Sequence, residues 1–401
     1  MNQARRKFYA DFIEENKADQ GQLFKAAKKL LGKKEELSFP DHFDKVSLAN
    51  DIGRFFVRKI ENIRSDINAV QFDLDVVPKD LVLNETQTFG DFQQLTEEDV
   101  TALVQKSGKK SCALDPMPTG LVVKCLGTLL PVLTRIINLS LASGKFSEEW
   151  KEALVVPLLK HQGLNLEFCN LRPISNLQYV SKLIERAVFE QMNNHMMQFG
   201  LYPVLQSAYR KGHSTETILL KIQNDILLNM DKQNVTLLVF LDLSAAFDTV
   251  DHDILISRLQ SSFGIKGNVL NWFSSYLSNR TQRVTLSGCV SDSFSLEQGI
   301  PQGSCLGPLL FTIYARDAGD SLTFHNGMQF TTKDIDHDLH ENNCAQLYKG
   351  GWWYNNCHES NLNGLYHCGG THTSYADGIN WSHWKGHHYS MKTVTMKIKE
   401  V

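Results

Sequence analysis

The nearly continuous apolar run Thr236–Leu243 carries one carboxylate, Asp242, close to its end, and Phe247-Asp248 follows shortly after. A run of this kind belongs to a strand buried on both faces. It demands a packed layer on either side and presents Asp242 on rigid backbone at its C-terminal end. Taken alone, Asp242 also fits a turn-former that merely ends a strand. Downstream, Gly299-Ile300-Pro301-Gln302-Gly303-Ser304-Cys305-Leu306-Gly307-Pro308 sets glycines around a proline, where another group can approach the backbone closely. A fold that contains the first stretch has to be built around it.

Near Ala315 the residue usage changes. Nine of the 14 histidines lie between His325 and His388, and four of the six tryptophans are Trp352, Trp353, Trp381 and Trp384. Five cysteines are scattered before this point (Cys112, Cys125, Cys169, Cys289, Cys305) and three follow it. The first set reads as reduced thiols, the second as disulfide usage, which needs an oxidising compartment. The net charge of -3 excludes a global basic field, so any phosphate binding has to be local. Met1–Phe8 is charged with no apolar segment behind it, so no signal peptide and an intracellular location are expected. Arg135 and Asn138 interrupt Leu129–Leu141, and no membrane association is expected.

Three regions follow: a helical N-terminal part and linker over 1–90, a mixed part over 91–315, and a distinct segment over 316–401. Residues 1–36 and 46–64 have helical spacing, the first with a lysine-rich face that suits either solvent or RNA phosphates. Thr96-Glu97-Glu98-Asp99 has the form of a helix start. One long helix is expected over Leu121–Ala142, closed by Ser143-Gly144. A strand is expected over Ala153–Leu159 and a helix over Ser181–Phe199. Two further helices fall near 252–263 and 268–280, ahead of alternating segments Gln282–Ser287 and Asp292–Leu296 that suit paired strands. Helix and strand mix without regular alternation, which points to an α+β fold.

The Leu238–Asp248 and Gly299–Pro308 stretches resemble the A and B motifs of reverse transcriptases from non-long-terminal-repeat (LINE-type) retrotransposons. Leu158-Leu159-Lys160, Asn170-Leu171-Arg172-Pro173-Ile174-Ser175 and Gln206–Thr215 resemble further blocks of that family in the right order. The resemblance covers about residues 1–315 and implies an incomplete right-hand polymerase, with fingers and a partial palm. It implies Asp242 as a catalytic magnesium ligand, because phosphoryl transfer from a nucleoside triphosphate is run by hard cations held on carboxylates. It further implies Lys160 and Arg172 as triphosphate cations, Phe247 as the aromatic gate beside the ribose, and Gln302 and Gly303 as lining for the incoming nucleotide. The family's third motif, Tyr-Ala-Asp-Asp, does not follow motif B. Tyr375-Ala376-Asp377-Gly378 lies one substitution from it, but Gly378 removes the second carboxylate and the flanks are not apolar strands. Asp-Gly in a turn is the reading adopted.

His325–Phe330, Trp352–His358, Asn361–Tyr366 and Gly378–Trp381 resemble ficolins, tenascins and related fibrinogen-like domains, over residues 316–401. The resemblance implies the C-terminal portion of that module, incomplete at its start. It implies a calcium site from Asp336 and Asp338 with carbonyls of His340 and Asn342, a Cys344–Cys357 disulfide, and a pocket for acetylated sugars at His358, Tyr366 and Tyr375. The disulfide is expected to close the calcium loop, so that calcium binds only to oxidised protein. A zinc reading of Cys344, Cys357, His358, His367 and Cys368 lacks the spacing of zinc knuckles. The closing segment Lys392–Val401 alternates as a strand and in the family enters a sheet of the absent first half.

These resemblances imply a polymerase-like protein of the RNA-directed DNA polymerase class without catalysis, binding an RNA or DNA template-primer weakly if at all, fused to a fibrinogen-like fragment. Two other functions stand beside it. One is an extracellular calcium-dependent, lectin-like module with a passive polymerase part. The other is a non-catalytic nucleic-acid-binding protein using Lys160, Arg172 and Arg210.

Overall fold

The structure, a computed structural model, describes residues 2–15, 44–68, 87–108, 110–161, 163–203, 206–232, 237–240, 245–315, 321–367, 370–382, 386–391 and 394–398. Its helices are α1 (Asn2–Glu15), α2 (Lys45–Asn68), α3 (Glu97–Lys106), α4 (Thr119–Lys124), α5 (Leu126–Ser143), α6 (Tyr179–Gln198), α7 (Thr215–Asp231), α8 (His252–Ser261), α9 (Gly267–Leu277), α10 (Gly307–Tyr314) and α11 (Cys344–Leu347). The strands are β1 (Glu152–Leu159), β2 (Leu171–Asn176), β3 (Leu237–Phe240), β4 (Arg280–Leu286), β5 (Cys289–Val290), β6 (Phe294–Leu296), β7 (Ser360–Asn361), β8 (Gly370–Thr371), β9 (Asn380–Trp381), β10 (Tyr389–Ser390) and β11 (Thr395–Ile398). The mixture is α+β, as the sequence predicts.

Local signals account for several of these elements. Thr96 and Asp99 form a reciprocal capping box at the start of α3: the Thr96 hydroxyl accepts from the Asp99 amide, and the Asp99 carboxylate accepts from the Thr96 amide at 2.9 Å. Asp115 accepts from the Tyr179 amide at 2.7 Å, placing a carboxylate at the first turn of α6. The long helix expected over Leu121–Ala142 is instead two, because the chain leaves helical geometry at Cys125 (ψ 19°) before α5 begins. Gly144 ends α5 in the left-handed region (φ 63°).

The length and composition of α5 also suit a membrane span, yet Leu133, Ile137 and Leu141 on it are core residues. Asn138 exchanges hydrogen bonds of 2.8 and 2.9 Å with the backbone of Leu95. One face of the helix is thus built into the protein interior.

The principal sheet runs β2-β1-β4-β5, with β6 also on β4. Strands β1 and β2 are antiparallel, and β1 is parallel to β4. The expected pairing of Gln282–Ser287 with Asp292–Leu296 is present, with Gln282 opposite Phe294. Helix α2 lays Leu48, Ala49, Ile52 and Phe56 against Val155, Leu171, Val284 and Leu286 of this sheet. A larger helical core is centred on Trp272, Phe273 and Tyr276 of α9, with Phe146 edge-on to Trp272 at 5.5 Å. A third cluster, Cys344, Ala345, Trp352, Tyr354, Cys357, Leu362, Trp381 and Met391, draws only on the C-terminal segment. Fully burying a large apolar side chain contributes roughly 1.5–3 kcal/mol.

The strand near the chain end is β11, and its partner corrects an expectation. Thr395 to Ile398 pair antiparallel with Phe240 to Leu237 of β3. The closing segment, expected by resemblance to enter a sheet of the absent first half, pairs here with β3 of the apolar Thr236–Leu243 run.

Candidate functional site

The two motifs meet at a narrow junction. Backbone bonds join them: the Gly299 amide donates to the Val250 carbonyl and the Ile300 amide to that of Phe247, both at 2.8 Å. Gln302 Nε2 donates to Asp248 Oδ1 at 2.8 Å, and the Gln302 carbonyl accepts from the Ser175 amide at 2.7 Å. Motif B is therefore fastened to the Phe247-Asp248 turn on one side and to β2 on the other.

Gly303 sits against β2. Its φ of 130° and the 2.4 Å that would separate an added Cβ from the Ser175 carbonyl leave room for no other residue. It permits close backbone packing here; the resemblance also implies it as lining for the incoming nucleotide. Phe247 is half-buried, stacked on Phe311 at 5.0 Å and edge-on to Tyr209 at 6.4 Å. Asp242 lies outside the described residues, as does Cys368.

Lys160 and Arg172 stand on the β1–β2 hairpin. Arg172 pairs with Leu158, and the Lys160 amide donates to the Asn170 carbonyl, so both side chains fall on one face. Arg172 is exposed, whereas Lys160 Nζ turns back to the Cys169 carbonyl at 2.7 Å.

Sequence reasoning missed Lys59 of α2. It lines a small cavity with Phe56, Ser175, Asp248 and Gln302. Burial pushes its amine below the usual range, Lys160 pushes it further, and Asp248 opposes both. Asp248 is shifted upward chiefly by burial, against the Gln302 hydrogen bond and Lys59. The helical period of 46–64 shows which face of α2 is apolar but not which sheet it covers. The cavity measures about 40 Å³, room for a water or two. Pockets that take small organic ligands are of the order of 300–1,000 Å³.

Glu185, fully buried on α6, was also missed. Its Oε2 accepts from the Cys305 amide at 2.6 Å and so holds motif B from behind. Burial raises its pKa, and Arg280, itself buried, works against that.

In the C-terminal segment Cys344 and Cys357 form the expected disulfide. The expectation that it closes the acidic loop is corrected. The bond encloses the residues after Cys344, whereas Asp336 to Asn342 precede it. The two features touch where Asp338 Oδ2 accepts from the Cys344 amide at 2.9 Å and where the Leu339 amide donates to the Asn355 carbonyl at 3.0 Å.

The acidic loop is self-bonded. Asp336 Oδ1 accepts from the Asp338 amide at 3.1 Å, Asp338 Oδ1 from the His340 amide at 3.0 Å, and the Asn342 carbonyl meets His340 Nδ1 at 3.0 Å. A carboxylate oxygen with one such bond retains a lone pair for a hard cation.

His358 is buried among the rings of Tyr348 (4.7 Å), Tyr354 (5.6 Å) and His387 (5.4 Å). Neither ring nitrogen has a hydrogen-bond partner among the described residues. Burial, with His387 and His325 adding to it, pushes its pKa down to about 3. Tyr375 approaches the far side of His387 at 5.3 Å, while Tyr366 is exposed and outside this ring group.

Asp377 corrects the passive-turn reading. Its Oδ1 accepts from Ser374 Oγ at 2.6 Å and lies 3.0 Å from His367 Nε2 and 3.6 Å from His372 Nδ1. The left-handed residue of the turn is Ala376 (φ 61°), one position earlier than the expected Asp-Gly. Burial works against the ionised carboxylate, but the Ser374 and His367 hydrogen bonds outweigh it and hold Asp377 below the usual range.

Comparison with known proteins finds both halves of this picture. A family model described as reverse transcriptase (RNA-dependent DNA polymerase) matches residues 160–335. One described as fibrinogen beta and gamma chains, C-terminal globular domain, matches residues 297–401. Techylectin-5A of Tachypleus tridentatus is 64% identical over 88 residues, 22% of this chain and 30% of that protein. Fibrinogen C domain-containing protein 1 of Macaca fascicularis is 60% identical over 94 residues, 23% of this chain and 22% of that one. The solved fibrinogen-like globe domain of human ANGPTL2 is 54% identical with a TM-score of 0.20, covering 20% of this chain and 38% of that one.

The chain thus spans under a third of the length of these curated relatives. It contains a reverse-transcriptase segment and a fibrinogen-like C-terminal segment, whose matched ranges overlap at 297–335.

Proposed function

We propose that this chain is a retrotransposon-derived, polymerase-like protein that does not copy nucleic acid, joined to a fibrinogen-like fragment. The observation that carries this reading is the placement of Asp377. It belongs to the chain's Tyr-Ala-Asp sequence, and its hydrogen bonds go to Ser374 and His367 of the fibrinogen-like segment. A two-metal site needs carboxylates that converge. Asp242 would hold magnesium, which would supply charge neutralisation at the transferred phosphoryl group. In the Tyr-Ala-Asp sequence, Gly378 stands where the second carboxylate would be needed. Lys160, Arg172 and Arg210 remain as cations for weak, salt-sensitive contact with an RNA or DNA template-primer, and the reading places the chain inside the cell.

Primer extension on an RNA template tests the proposal. No product is expected with magnesium or manganese. Extension that vanishes in Asp242→Ala would overturn it.

A second reading is favoured by His358, whose unpartnered ring lies buried between tyrosines. We infer that the C-terminal segment binds acetylated glycans through His358 and Tyr375, with calcium held by the carboxylates of Asp336 and Asp338 and the carbonyls of His340 and Asn342. The oxygen-rich, pre-turned loop fits that ion. Retention of oxidised protein on an acetylated resin, released by chelator and absent in Asp336→Ala/Asp338→Ala, is the expected outcome. Equal retention by that double variant would sink the inference.

A further inference from the structure

We propose that His367, His372 and Asp377 form a three-ligand site for a divalent transition-metal ion of the zinc class, with a fourth position open to water. The three donor atoms lie within 4.8 Å of one another. Ligand atoms about 2.0–2.1 Å from a tetrahedral ion stand roughly 3.3 Å apart. The measured separations from Asp377 Oδ1, 3.0 Å to His367 Nε2 and 3.6 Å to His372 Nδ1, bracket that spacing.

Three features separate this arrangement from a chance meeting of surface groups. The imidazoles are stacked, with centroids 4.1 Å apart and planes at 11°, which gathers both rings at one carboxylate oxygen; one ring turns out of the stack for both in-plane lone pairs to meet at an ion. The side chains are shielded in a graded way: His372 is 4% exposed, Asp377 13% and His367 25%. A donor set of that kind is approached from the His367 side. Gly378 makes the stacking possible, since an added Cβ there would lie 2.5 Å from His372 Nε2 and 3.2 Å from His367 Cδ2.

In the ion-free chain one hydroxyl bridges two of the donor atoms. Ser374 Oγ donates to Asp377 Oδ1 at 2.6 Å, and His372 Nδ1 lies 3.0 Å from the same hydroxyl. His372 Nε2 is buried without a hydrogen-bond partner among the described residues. Two imidazoles with one carboxylate are the donors of zinc, nickel and copper sites, whereas calcium and magnesium take oxygen shells. This site is therefore chemically distinct from the Asp336–Asn342 loop. It also differs from a zinc set drawn from the cysteines, since Cys344 and Cys357 are tied up with each other.

Zinc titration of the full oxidised chain against a chromophoric chelator tests the proposal, with cobalt as a spectroscopic stand-in. One tight equivalent and a visible cobalt band of tetrahedral type are expected. Loss of a ligand in His367→Leu or Asp377→Asn should weaken binding by more than the roughly ten- to hundredfold of an outer-shell change. Asp336→Ala/Asp338→Ala should leave it unaltered. The His367→Leu variant guards against misfolding, because the ring it removes is the most exposed of the three. Zinc binding that persists undiminished in both ligand variants, or a wild-type chain that takes up none, would overturn the site.

Discussion

At the scale of single residues, His358 couples the C-terminal core to acidity. Its ordinary value of 6.5 falls to about 3 in the folded chain, chiefly because burial penalises the charged ring. An unfolded chain takes up this proton first as pH falls. The stabilising contribution is therefore complete above about 6.5 and is lost progressively down to about 3. For one proton the slope is up to about 1.4 kcal/mol per pH unit. Urea unfolding of the oxidised chain should show this slope, and His358→Leu should flatten it, leaving the smaller contributions of His325 and His372, which burial also shifts downward. Identical slopes in the two proteins would mean that His358 is already protonated or reached by solvent.

At the scale of elements, the pairing of β3 with β11 is open to a direct test. Proline at Met396 or Lys397 removes an amide at adjacent ladder positions, one of which donates across the pair. The cost is about 1–3 kcal/mol for a ladder bond lost with its partner left unpaired, a roughly five- to hundredfold loss of hydrogen-exchange protection at the amides of Leu237–Phe240. Unchanged protection in both variants would show that β3 does not depend on β11.

Elements of this sort also mark how far the sequence could be read. The α3 start, β1, α6 and the β4–β6 pair were legible, because capping residues, apolar runs and alternation act within a few positions. The division at Cys125 was not, since every residue around it has helical spacing. The position of Lys59 beside Asp248, the burial of Glu185 on a helix of otherwise ordinary pattern, and the meeting of His367 with Asp377 depend on which surfaces the fold brings together. Composition even pointed away from the last, because the neighbouring cysteines drew attention to a different metal set.

On the scale of the whole molecule, the described cores of the two segments are separate, and a ladder joins the segments. The helical core around Trp272 and the aromatic core around Trp352 share no residue. Strand β3, from the middle of the polymerase-like segment, nevertheless has its described partner in β11, beyond everything else in the fibrinogen-like one. On the ribosome this imposes an order. The apolar residues Leu237-Leu238-Val239-Phe240 leave the exit tunnel long before Thr395–Ile398 have been polymerised. Throughout that interval the nascent chain offers an unpaired apolar edge to other chains or to a chaperone. Maturation of the first segment thus waits on translation of the last.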